Sequence, residues 1–116
     1  MRFAQPIAAT LLACAVQLSP PAHGSVAEEI FVAKCVACHA GGGNVLAGGK
    51  TLDASALERN GYQEPADVVS LLRNGKGQMP KYQGAIPKIS RLTDEELEQV
   101  AEFVLQRSRS AVWPGF

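Results

Sequence analysis

The chain has 116 residues, with 11 basic and 11 acidic side chains, 47% hydrophobic residues and 6% aromatic residues. This fits one small domain, and the even charge balance with few aromatic rings excludes a nucleic-acid partner, because a phosphate-binding face leaves a basic excess. The one candidate membrane segment, residues 7–18, has 12 residues, short of the ~20 a spanning helix needs, which excludes membrane insertion.

The chain starts with a basic residue, Arg2, then the apolar run from Ile7 to Leu18, then Ser19-Pro20-Pro21-Ala22-His23-Gly24. That order reads as an export signal cut near Gly24, because Ala22 and Gly24 have the small-residue spacing a signal peptidase accepts. Residues 1–24 are therefore expected to be an address and residues 25–116 the working domain. Removing the address takes Cys14, His23 and Met1 with it and leaves two Cys, one His and one Met in 92 residues. A domain of that size buries a modest fraction of its surface, so a bound cofactor would add needed apolar mass.

Four helical patterns follow. Ser25 and Glu28 have capping-box spacing, and Val26, Ile30 and Ala33 recur at helical intervals, which predicts a first helix from about Val26 into the Cys35 region. Asp53 can cap a short helix that holds Leu57 and closes at Gly61. Pro65 suits the first turn of a third helix, whose stripe is Val68, Leu71 and Leu72 and whose end is Gly75. Thr93 and Glu96 form a capping box for the last helix, with Leu97, Val100, Ala101, Val104 and Leu105 on one face and Asp94, Glu95 and Glu96 at its positive end. No segment alternates as a strand, so the fold class is all-α. Two stretches, residues 40–53 and 74–89, have little periodicity, and loops of 14 and 16 residues in a compact domain usually have a task.

Cys35-Val36-Ala37-Cys38-His39 is C-x-x-C-H, the attachment signature of a c-type haem. Two thiols three positions apart can reach the two vinyl groups of one porphyrin, and the next residue offers an imidazole to the iron. A His/Met-ligated haem also needs a thioether on the opposite face. The trimmed chain has one Met, Met79, in the loop Asn74-Gly75-Lys76-Gly77-Gln78-Met79-Pro80. Gly75 and Gly77 let that loop bend and Pro80 stiffens its exit. A thioredoxin-like pair would need a neighbouring β-α-β pattern, a zinc site would need four ligands, and Met79 could instead be a packing residue.

With these residues placed, the chain resembles the cytochrome c6 family of small lumenal class I c-type cytochromes. The resemblance rests on Cys35 to Gly42, Gly43-Asn44-Val45, Lys50-Thr51-Leu52, Asn74 to Gly77 before Met79-Pro80, and Arg91-Leu92 leading into Asp94-Glu95-Glu96. It implies a class I cytochrome c fold of about four helices wrapped around one haem c bound covalently through Cys35 and Cys38, with His39 and Met79 ligating the iron. It also implies Phe31 packed near Phe103 where the first and last helices cross. Two departures resemble the plant and green-algal cytochrome c6A branch. Leu71 stands where the family usually presents a Gln to the haem, and Lys81 to Ser90 lengthen the passage from Met-Pro to Arg-Leu. Branch members typically have two cysteines in that insertion and this chain has none, so no loop disulfide is carried over.

The resulting expectation is a monomeric one-electron carrier, with the cytochrome b6f complex and photosystem I as redox partners in the thylakoid lumen. Two alternatives stay open: a low-potential sensor or regulatory cytochrome of the lumen, and a bacterial periplasmic electron-transfer cytochrome. No enzyme is expected, since no nucleophile or general base stands beyond the haem residues and Asp94 to Glu96 serve the helix start. Arg73, Lys76, Lys81, Lys88 and Arg91 cluster around the Met79 loop, opposite the acidic run from Asp94 to Glu102, which predicts a dipolar docking surface.

Overall fold

The computed structural model describes residues 22–113, and five helices follow one another there without a strand. They are α1 (Ala22–Lys34), α2 (Val36–His39), α3 (Ala54–Arg59), α4 (Pro65–Asn74) and α5 (Asp94–Ser110). Most of the expected export segment, with Cys14, lies outside the described residues. Both α1 and α4 pack on α5, which makes the C-terminal helix the spine of the domain.

Helix α5 starts as its sequence predicts. The Thr93 hydroxyl accepts from the Glu96 amide at 3.0 Å, and the Thr93 amide donates back to the Glu96 carboxylate at 2.8 Å. Its apolar face is fully used: Leu97, Val100, Ala101, Phe103, Val104 and Leu105 are all buried. Ala27 and Ala101 are both fully buried, and such small side chains let helix axes approach closely. The Phe31 and Phe103 rings meet at 5.6 Å, tilted by 51°, as the resemblance implies. Trp113 also stacks on Phe31, at 5.5 Å, so aromatic contacts join the middle of α5 and the residues just after it to α1.

Three local features differ from the sequence expectation. Helix α1 starts at Ala22, so Ser25 lies inside the helix instead of capping it. With Ala22, His23 and Gly24 present, the helix has residues to extend into. The helix also stops before Cys35, and α2 is a separate single turn that holds Cys38 and His39. Helix α4 has Pro65 in its first turn as predicted, but its start is also closed by Asp67, whose carboxylate accepts from the Glu64 amide at 3.2 Å.

The two aperiodic stretches are ordered by side chains. Asn44 Oδ1 accepts from the amides of Leu46 and Ala47 at 2.9 and 2.8 Å, and its Nδ2 donates to the Lys50 carbonyl at 3.0 Å. Asn60, at the end of α3, donates to the Gly49 carbonyl at 3.1 Å, which fastens that loop to the helix. In the second stretch, Gln83 Nε2 donates to the Leu92 carbonyl and to Asp94 at 3.1 and 2.8 Å, while its Oε1 accepts from Arg73 at 2.8 Å.

Candidate haem site

The helices and the two long loops line a cavity of about 420 Å³, within the range of cofactor and ligand pockets. Its walls are mainly apolar and include Phe31 from α1, Leu57 from α3, Leu71 and Leu72 from α4, and Val100 and Val104 from α5. All four residues singled out in the sequence, Cys35, Cys38, His39 and Met79, line this cavity. Met79 is therefore part of the cavity wall, 40 residues downstream of His39.

The local geometry prepares each group. Breaking the helix at Cys35 and restarting it at Val36 puts Cys38 and His39 on a single turn at the cavity edge. The chain then leaves sharply, with Gly41 and Gly42 at φ of 63° and 80°, values that favour glycine. His39 Nδ1 lies 2.7 Å from the Gly43 carbonyl. The only hydrogen-bonding role for Nδ1 there is as an N–H donor, which leaves the Nε2 lone pair for a metal, the arrangement metal-bound histidines use. Met79 closes a tight turn: its amide donates to the Lys76 carbonyl at 3.0 Å and its carbonyl accepts from the Lys76 amide at 3.1 Å. Gly75 is essential to that turn, because a Cβ there would lie 2.8 Å from the Met79 carbonyl oxygen and 2.9 Å from the Lys81 amide nitrogen.

The donor set fits a c-type haem. Cys35 and Cys38 are not joined to each other in a disulfide. Burial pushes the Cys35 thiol up to about 11, against the opposing pull of Lys34. A thioredoxin-like pair sits beside a β-α-β unit, and among the described residues there is no strand. Among the described residues no three His, Cys, Asp or Glu side chains gather as a metal-holding group, fewer than the four ligands a structural zinc takes. An apolar cavity edged by two thiols, one pre-oriented imidazole and one thioether matches the needs of a covalently held iron porphyrin.

Three residues not among the expected site residues support the site, two from its lining and one beside it. Asn44 shapes the wall at residues 44–50; an Asn in a Gly-rich stretch was the available signal, since its side chain builds turns. Tyr82 is buried and lines the cavity, and its hydroxyl donates to the Lys34 carbonyl at 3.1 Å. Burial pushes its phenol up to about 12, so it remains a donor at neutral pH. Gln83 joins α4, the insertion and α5. Arg73, part of the basic cluster read from the sequence, pairs with Asp94 at 3.1 Å on the surface, and Lys76, Lys81, Lys88 and Arg91 are exposed beside it.

Comparison with known proteins agrees with this geometry. A family model described as cytochrome C oxidase, cbb3-type, subunit III matches residues 24–104. A cytochrome c6 of Cyanidioschyzon merolae is 44% identical over 88 residues, 76% of this chain and 75% of that protein. A cytochrome c6 of a Synechococcus species is 38% identical over 112 residues, 94% of each chain. The crystal structure of oxidized cytochrome c6A from Arabidopsis thaliana superposes with a TM-score of 0.72 and 31% identity, covering 84% of this chain and all of that one. The chain thus belongs to the cytochrome c6 family, carrying covalently bound haem c and moving electrons rather than catalysing a reaction of its own.

Proposed function

We propose that the chain carries single electrons in photosynthetic electron transfer, accepting them from the cytochrome b6f complex and passing them to photosystem I in the thylakoid lumen. Cys35 and Cys38 would hold the haem as thioethers, and His39 and Met79 would ligate its iron. The observation that supports this reading is the meeting of these four residues on one apolar cavity, with His39 Nδ1 already engaged by the Gly43 carbonyl. When bound, haem c supplies a one-electron iron couple whose potential an axial thioether raises.

The chain's own residues do the rest. Phe31, Leu57, Leu72 and Val104 exclude water from the cavity, which limits the solvent reorganisation that would slow electron exchange. The Gly43 carbonyl fixes the His39 ring, and the Lys76–Met79 turn presents the sulfur from the opposite loop. Leu46 belongs to the cavity wall, and it and Val45 are exposed, giving partners an apolar contact beside the haem. In this reading residues 1–24 are removed near Gly24, and residues 25–116 act as a monomer.

A second reading, a regulatory or sensing cytochrome of the same compartment, is favoured by Leu71, which lines the cavity without offering a polar group. A bacterial periplasm is the alternative setting for the carrier. Redox titration of the matured holoprotein by visible absorption, followed by kinetics with isolated cytochrome b6f and photosystem I, separates the readings. Rapid reduction by the first and oxidation by the second is the expected result. A potential too low to accept electrons from cytochrome b6f overturns the carrier reading in favour of regulation.

A further inference from the structure

We propose that Tyr82 is the positioning residue of the sulfur-bearing loop, holding Met79 toward the cavity by strapping that loop to the haem-attachment segment. The inference rests on the reading of Met79 as an iron ligand. Tyr82 follows Met79 by three positions and is 7% exposed. Its amide donates to the Leu72 carbonyl in α4 at 2.9 Å, and its carbonyl accepts from the Leu92 amide at 2.9 Å. Its hydroxyl reaches across to the carbonyl of Lys34 at 3.1 Å. Lys34 is the last residue of α1 and immediately precedes Cys35.

These three bonds act on different parts of the site. The Met79 turn is anchored at its start by the Gly75 amide, which donates to the Leu71 carbonyl at 2.7 Å. After Met79, Tyr82 is the residue that returns the chain to α4, and its phenol adds a link to the cavity's other side. The acceptor is one of the carbonyls that a helix end leaves without an intrahelical partner, so the bond also satisfies the end of α1. Opening the loop far enough to withdraw the sulfur would stretch or break this hydroxyl bond. It therefore opposes withdrawal of Met79, whereas the bonds of Gln83 act on the insertion and the α4–α5 junction.

The test is Tyr82→Phe in the matured holoprotein, which keeps the ring and removes only the strap. The readout is the rate of carbon monoxide binding to the ferrous form, because an exogenous ligand needs the position the sulfur occupies. About a tenfold faster binding is expected, equivalent to about 1.4 kcal/mol for one hydrogen bond. The alkaline pH at which the sulfur-to-iron absorption band disappears should fall as well. A purely structural hydroxyl would lower the melting temperature without opening the iron to carbon monoxide, and that result overturns the proposal. Met79→Ala is the reference. If it binds carbon monoxide no faster than the parent, the ligand reading falls and this proposal with it. If it opens while Tyr82→Phe does not, the ligand reading stands and the Tyr82 role falls. Should Tyr82→Phe not mature, amide hydrogen exchange of the parent holoprotein decides. Met79 and Tyr82 amides exchanging together with the Cys35 amide supports the strap, and much faster exchange of the first two overturns it.

Discussion

At position 71, α4 turns a leucine toward the cavity, and this single choice bears on the redox potential. A Gln there could offer a dipole and a hydrogen bond to the porphyrin surroundings, and groups around a metal centre tune its electronics. Leu71→Gln is expected to raise the midpoint potential while leaving the visible spectrum that of a six-coordinate haem c. Potentiometric titrations that superpose for parent and variant would refute this. Gly75, four positions on, tolerates no such exchange, since its φ of 70° and its close approach to the Met79 carbonyl both depend on a missing Cβ. The identity of Gly75 was readable from a Gly-rich loop before a Met. The backbone atoms it must avoid were not, because they arrive only when the turn closes.

Asp53 and the insertion can be understood at the scale of elements. The Asp53 carboxylate accepts hydrogen bonds from the Thr51 and Ser55 hydroxyls and from the Ala56 amide at the start of α3, and these hold it down at about 2, below its ordinary 3.8. A carboxylate depressed on folding stabilises the native state fully above its ordinary value, and that contribution disappears as pH falls through about 2. Asp53→Ala is therefore expected to melt below the parent at neutral pH, with the gap closing between pH 3.8 and about 2; thermal melts across that range check it. A gap that does not change with pH would mean that the charged form has no special role in the cap.

The insertion is a loop on a closed neck. The Leu92 amide donates to the Tyr82 carbonyl at 2.9 Å and Gln83 Nε2 donates to the Leu92 carbonyl at 3.1 Å, so residues 83–91 leave and return at one place. Replacing residues 84–90 by one glycine should keep the haem spectrum and change stability by roughly 1 kcal/mol, the closure entropy of shortening a nine-residue loop to three. A changed haem spectrum in that variant would show that the insertion shapes the cavity after all. The Thr93–Glu96 cap and the Asp53 cap were legible in the sequence because the partners are two or three positions apart. The Gln83 links to Arg73 and Asp94 span 10 and 11 positions, and no local pattern announces them.

Over the whole molecule, charge is sorted by fold. The Arg73–Asp94 pair joins the basic loop region to the first residue of the acidic helix, and hydrogen bonds from Gln83 and Arg73 hold the Asp94 carboxyl below the usual range. Lys76, Lys81, Lys88 and Arg91 remain exposed, and Ile89 among them is 87% exposed. Electron-transfer rates with an acidic partner should fall severalfold as ionic strength rises from low to physiological, because steering by exposed charge is screened over about 8 to 10 Å. Lys81→Glu with Lys88→Glu should lower the low-salt rate and flatten that dependence in stopped-flow measurements. Rates indifferent to salt would place docking on the apolar Val45–Leu46 edge instead.

The chain alone determined what depends on neighbours in sequence: the C-x-x-C-H attachment pattern, the Asp53 and Thr93 helix caps, and Met79 in a glycine loop. Those features rest on local geometry and on residue chemistry that context does not alter. The tertiary structure decided where these groups meet, that Arg73 pairs with Asp94, and that Asn44, Tyr82 and Gln83 support the site. These are contacts across loops and helix ends, and they exist only after α5 has collected α1 and α4 and brought distant carbonyls within hydrogen-bonding reach.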